Sequence, residues 1–353
     1  MGIVKELFGT SGKGEAVNKY TLTNSNGMKM VVIEMGAALQ ALYVPDSKGN
    51  LADVVLGYDT VEQYETENTE NYSVTVGRNA NRIKDAKFVI NGKEYQLAKN
   101  DNNNNLHSGP DVYGTRVWES ESFEDEEGLG VTFSLVSPAG DQGFPGQFDV
   151  SVTYVLTEDN AVVIEYNGVA SEDTIMNMTN HSYFNLAGHN SGTINEQKVW
   201  IDADEFTPTD EVLIPTGELR SVAGTPMDFN EPKTIGQDIE ADYEPLKMAG
   251  GYDHNYVLKT TGDELELVAK LIDEKSGRTM EVYTDLPGMQ LYSGNFIEGN
   301  HKGKEGCYYQ RRAGICFETQ FFPDSMNNKA FLSPVIKAEE EFNTVTVYKF
   351  VTE

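Results

Sequence analysis

Short runs in which apolar and polar residues alternate recur along the whole chain, and clusters of Gly, Asn, Asp and Pro separate them. A period of two belongs to a strand with one face buried, so the pattern predicts strands joined by turns. KMVVIEM (29–35), ALQALYV (38–44) and ADVVLGY (52–58) are the first. AKFVINGKEYQL (86–97) carries Asn91-Gly92 between β-formers, the strongest short-range signal for a hairpin in the sequence. Further strands are expected at 131–136, 149–156, 161–166, 264–272, 279–285, 314–322 and 343–351. No long helical period is present. DTVEQYETENTE (59–70) and DSMNNKAF (324–331) could each hold a turn or two of helix, although neither has a sustained apolar face. So many closely spaced strands predict an all-β fold, a large β-sandwich in preference to a small barrel.

One stretch departs from strand logic. NMTNHSYFNLAGH (177–189) holds His181 and His189, two of the five histidines, among small hydrogen-bonding side chains. Asn, Thr and Ser compete with helical backbone bonds and Gly188 ends the run, so a strand leading into a turn is expected. An imidazole titrates near neutrality, which makes His181 a candidate for acid/base chemistry, against the plainer reading of a structural histidine.

Four other stretches also place polar, charged or aromatic residues beside Gly or Asn: GRNANRI (77–83), NNLHSGP (104–110), GGYDHNY (250–256) and ICFETQFFPDS (315–325). Glu318 stands out among them. It lies inside an apolar run, where burial raises a carboxyl pKa, and alternation sets it opposite Phe317 and Thr319. Whether its face lines a cleft or meets solvent is not a question that the pattern answers.

Composition narrows the choice of ligand. Twenty-seven basic residues against 56 acidic ones give a net charge of −29, which disfavours a nucleic acid, an anionic membrane or a phosphorylated ligand. The N-terminus lacks the features of a secretory leader and no stretch approaches 18 apolar residues, so a cytoplasmic protein is expected. Cys307 and Cys316 form no CxxC pair and are read as separate thiols. His107, His181 and Glu318 could be imagined as zinc ligands, but no HExxH or other compact pair supports a metal. Three Asn-X-Ser/Thr matches, at Asn71, Asn177 and Asn180, are read as chance.

In this order and at these separations the stretches resemble the signature set of the aldose 1-epimerases, or galactose mutarotases. VLGYDT (55–60), YGTRVWE (113–119), GFPG (143–146), FTPTDEVLIPTGE (206–218), TPMDF (225–229) and LPGMQLYSGN (286–295) extend the likeness over nearly the whole chain. Asn79 and Ser108 depart from it, standing where an aromatic or aliphatic residue and a Gly are more usual. The resemblance implies one antiparallel β-sandwich domain over 1–353 with an open sugar cleft, needing no cofactor. It further implies that Glu318 is the general base and His181 the general acid. His107 would place the ring oxygen, Asp253 and Arg82 would bind other hydroxyls, and Asn81, Gln290 and Tyr183 would add contacts. Arg78 is expected to be structural. The implied partner is a free aldohexose such as galactose or glucose, and a monomer and a homodimer both stay open. A glycoside hydrolase using Asp253 and Glu318, or a sugar-binding sandwich without catalysis, are the alternatives.

Overall fold

The computed structural model describes residues 2–352 and is built almost wholly from antiparallel strands. A nine-stranded sheet runs in the order Glu119–Glu124, Leu129–Ser137, Phe148–Leu156, Ala161–Ala170, Glu341–Thr352, Arg278–Thr284, Glu266–Asp273, Lys198–Ile201 and Lys233–Thr234. Its strands show the predicted alternation. Along Phe148–Leu156, Val150, Val152 and Tyr154 are buried while Asp149 is exposed and Ser151 and Thr153 are half-buried.

A five-stranded sheet packs on the buried face in the order Arg220–Ser221, Ala203–Phe206, Asp253–Leu258, Gly288–Tyr292 and Cys316–Gln320. Tyr348 ties the two sheets together by donating its hydroxyl to the Phe317 carbonyl at 2.9 Å. A second five-stranded sheet comprises Gly2–Thr10, Ala16–Thr23, Lys29–Ile33, Ala38–Pro45 and Leu51–Asp53. One continuous cluster of buried apolar side chains draws on all three, from Tyr20 through Tyr154 and Phe317 to Phe350.

The Asn91-Gly92 hairpin forms between Lys87–Ile90 and Lys93–Gln96, with both turn residues at positive φ as such a turn demands. A short helix, Val61–Thr66, forms within 59–70 and is capped by the Thr60 hydroxyl. The turn of helix expected at 324–331 does not form. There Asp324 accepts from the backbone of Lys84 and the side chain of Asn327, and the chain is held in turns. The strand expected at 52–58 is shorter, because after Asp53 the chain peels away to bond Tyr183 and Asn185. The N-terminal hairpin and the strand Asp253–Leu258 lay outside the expectation. Their residues alternate too weakly to stand out.

Candidate active site

Three neighbouring strands, Asp253–Leu258, Gly288–Tyr292 and Cys316–Gln320, form the floor of a cavity. Their register sets Asp253, Tyr292 and Cys316 in one row and Asn255, Gln290 and Glu318 in the next. Directly opposed residues, and residues two apart, share a face of a pleated sheet. All six side chains therefore point to the cavity side, while Leu291 and Phe317 point into the core. Strand register thus answers what alternation left open about Glu318.

His181 arrives from a different part of the chain. The segment around it is bonded on both sides: Thr179–Asn180 pairs with Thr75–Val76, His181 N–H donates to the Val74 carbonyl, and Phe184 exchanges both backbone bonds with Ile315. Because Ile315 directly precedes the strand Cys316–Gln320, this stitching brings the imidazole beside Glu318. The distance from His181 Nε2 to Glu318 Oε2 is 3.6 Å. Tyr183 stacks under the ring at 5.0 Å with 27° between planes, and His107 meets it edge-on at 5.4 Å.

A turn carries His107 and Asn81 to the same place. Both adopt positive φ, and each backbone bonds the other: His107 N–H donates to the Asn81 carbonyl at 3.0 Å, and Asn81 N–H donates to His107 Nδ1 at 3.2 Å. The two departures from the family pattern meet beside this turn. Ser108 Oγ accepts from Asn79 N–H at 2.9 Å and donates to the Asn79 carbonyl at 3.1 Å, so they compensate one another.

The cavity has a volume of about 290 Å³. Asn81, Arg82, His107, His181, Tyr183, Asp253 and Glu318 all line it, so seven of the eight expected residues converge. Gln290 stands differently. It is buried and gives its Nε2 proton to Asp253 Oδ1 at 2.6 Å, which makes it the support of a cavity residue. Arg82 is steadied by donating from Nε to Asp101 at 2.8 Å. Arg78 is fully buried and donates to Ser137, Thr174 and the carbonyls of Pro138 and Pro145, the structural role expected.

Sequence reasoning missed the rim. Glu70 and Asn71 line the cavity, although Glu70 ends an acidic run with no sustained apolar face to set it apart, and Tyr292, Glu298 and Asn300 join them. Phe296 is 54% exposed at the mouth and stacks on Tyr292. No spacing rule links 69–71 to 292–300; only the fold does. Asn177 and Asn180, two of the glycosylation matches, are buried.

Burial governs the site's electrostatics. It raises Glu318 well above the usual carboxyl range, with Asp253 adding to the rise and Arg82 opposing it. It pushes His181 down to about 4, and His107 well below its ordinary value with help from His181 and Arg82. Asp253 is raised by burial against the pull of Arg82 and Gln290. Each of these groups is thus driven toward its neutral form.

His107, His181 and Glu318 present ligand atoms within 4.8 Å of one another, near enough to hold one metal ion. The hydrogen bond at His107 argues otherwise. Its Nδ1 accepts the Asn81 N–H, so the neutral ring carries its proton on Nε2, and a protonated nitrogen donates a hydrogen bond instead of binding a metal. The donor set therefore suits a hydroxylated organic molecule, with a proton donor and a proton acceptor 3.6 Å apart.

Comparison with known proteins agrees with this chemistry. Residues 18–349 match the family described as aldose 1-epimerase. The galactose mutarotase of Bos taurus is 40% identical over 351 residues, covering 99% of both chains. The aldose 1-epimerase of Escherichia coli (strain K12) is 36% identical, covering 96% of this chain and 97% of the relative. The crystal structure of a galactose 1-epimerase from Lactobacillus acidophilus superposes with a TM-score of 0.88 at 26% identity, covering 99% of this chain and 98% of that one.

Proposed function

The chain belongs to the aldose 1-epimerase family, and from that premise we propose that Glu318 is the base and His181 the acid that open the sugar ring. The enzyme is an isomerase that interconverts the α and β anomers of aldoses. Ring opening needs a proton removed from the C1 hydroxyl and one delivered to the ring oxygen, because the first is a weak acid and the second a weak base.

In the proposed cycle the one proton that the pair shares at rest passes from Glu318 to His181 Nε2, and Glu318 then takes the hydroxyl proton as His181 gives its Nε2 proton to the ring oxygen. Both catalytic groups are then neutral. That is the state burial favours for each, so the open-chain sugar is held by a site at electrostatic ease. The C1–C2 bond turns, and the aldehyde presents its other face. His181 then reclaims the proton and Glu318 returns its own to C1 oxygen. Each group ends the cycle as it began, so no net proton leaves the site.

The remaining residues would orient the substrate. His107 Nε2–H donates toward the ring oxygen, Asp253 accepts from one hydroxyl and Arg82 donates to another, with Asn81 beside them and Tyr183 beneath His181. An unphosphorylated aldohexose, galactose first, is the proposed substrate. The matched relative from Bos taurus is a galactose mutarotase, and the cavity gathers no lysines. The hydrolase and non-catalytic readings are not favoured by any relative reported above. We read residues 1–353 as one domain, since a single apolar cluster joins all three sheets. We place the enzyme in the cytoplasm, in sugar catabolism; its two free thiols suit a reducing compartment.

The observation that carries the assignment is the pairing of Glu318 Oε2, buried without a hydrogen-bond partner, with His181 Nε2. Polarimetry of freshly dissolved α-D-galactose tests it. Wild type should hasten the approach to anomeric equilibrium over a buffer blank, and a folded His181→Asn variant should lose most of that acceleration. Equal rates for the two proteins would remove His181 from the mechanism.

A further inference from the structure

We propose that Cys316 is a positioning residue, whose sulfur accepts the Nδ1–H of His181 and so leaves Nε2 as the nitrogen that exchanges protons. The inference rests on the reading of His181 as the acid and adds what sets its tautomer.

Cys316 and Glu318 lie two residues apart on the cavity face of one strand. They address the two nitrogens of a single imidazole. Cys316 Sγ is 3.5 Å from Nδ1, within the range for a hydrogen bond to sulfur, and Glu318 Oε2 is 3.6 Å from Nε2. Tyr183 stacks on the ring while His107 and Tyr292 meet it edge-on, so the imidazole is held from its faces and addressed at both ends. The charged and titratable groups around it are therefore Glu318, His107, Tyr183, Tyr292 and Cys316, with Asp253 and Arg82 lining the same cavity.

A ring that gives away its Nε2 proton and stays neutral must keep its other proton on Nδ1, and something must accept that proton. Sulfur is a weak acceptor. A carboxylate at this position would orient the ring equally well, but it would hold the imidazolium charged and make it a poorer acid. Cys316 is wholly buried, and burial, with the carboxyls of Glu318 and Asp253, keeps its thiol protonated, so it orients His181 without adding charge. Neither Cys316 nor the other free thiol, Cys307, is among the residues lining the cavity, so Cys316 acts on the sugar only through the His181 ring.

Nitrogen-15 NMR of the sugar-free protein at neutral pH reads the tautomer directly. The chain has five histidines, so His181 can be assigned by the signals lost in His181→Asn. Wild type should show His181 protonated on Nδ1 and bare on Nε2. Cys316→Ala should shift it toward the opposite tautomer and lower kcat by about tenfold with little change in KM. Cys316→Ser, which restores an acceptor, should recover both the tautomer and most of the rate. An Nδ1 without its proton in wild type overturns the proposal, and this measurement needs no variant to fold. Unchanged nitrogen shifts or unchanged kcat in Cys316→Ala overturn it too. If His181→Asn retains full activity, the acid assignment fails instead, while the nitrogen shifts still report the thiol contact.

Discussion

Glu318 Oε2 lies 3.6 Å from His181 Nε2, yet the two residues are 137 positions apart in the chain and belong to different elements. The oxygen is buried and has no other hydrogen-bond partner among the described residues. A carboxyl left in that state is free to take a proton from a ligand, and its burial without a partner costs stability.

Glu318→Gln keeps the shape and removes the base. Mutarotation of α-D-galactose, followed by polarimetry, should slow by on the order of a hundredfold or more. Stability should move the other way. The folded carboxyl titrates above its unfolded value, so the native state holds the extra proton and wild type loses stability as pH rises from the unfolded pKa toward the folded one. The glutamine variant escapes that loss. Its urea midpoint should match wild type at pH 4 and exceed it at pH 8.

Acid should weaken the fold through its buried histidines. His181 and His254 are each pushed down to about 4 by burial, so between pH 6.5 and 4 the unfolded chain binds protons that the native one refuses. Stability therefore falls as pH drops through that window. From pH 7 to pH 5 each such histidine should cost about 2 kcal/mol. Urea unfolding at the two pH values checks this, and His181→Asn should blunt the drop by one histidine's share.

Asp253 and Arg82 should act on binding more than on chemistry. Asp253→Asn replaces a charged acceptor, and its kcat/KM for galactose should fall by about tenfold to a hundredfold, chiefly through KM. Asp101→Ala, which frees Arg82 from its 2.8 Å partner, should raise KM by a smaller factor and leave kcat alone. Initial rates across a range of galactose concentrations separate the two parameters.

Lys304 anchors the segment that follows the rim residues Phe296, Glu298 and Asn300. Its ammonium meets Asp53 at 2.5 Å and the Gln40 carbonyl at 2.8 Å, with both charged side chains buried. Lys304→Met strands the Asp53 charge, and denaturant unfolding should show a loss of about 3 to 5 kcal/mol. Asp53→Asn in the same chain should restore part of it, because the uncompensated charge is then gone.

Much of the nine-stranded sheet could be read directly from the chain. Strands such as Phe148–Leu156 and Ala161–Ala170 carry one buried and one wetter face, and a period of two survives in their sequence. The floor of the cavity could not be read in the same way. Cys316–Gln320 is buried on both faces, one against the core and one against the cavity, so alternation carries no information about which side is which. The rim was harder still, because Glu70 and Glu298 look like any other acidic surface residue until the fold sets them at one mouth.

The sequence by itself determined the fold class, the Asn91-Gly92 hairpin, the family, and seven of the residues that line the cavity. Those rest on local preference and on motifs, which act over a few residues and leave a trace in the string. Tertiary structure alone decided that Glu318 faces the cavity, that Gln290 braces Asp253, that Asn79 and Ser108 complete one another, and that a thiol sits against His181. Each of these depends on strand register or on a contact between distant segments. A shift of one residue in register would turn every such side chain to the opposite face without changing a letter of the sequence.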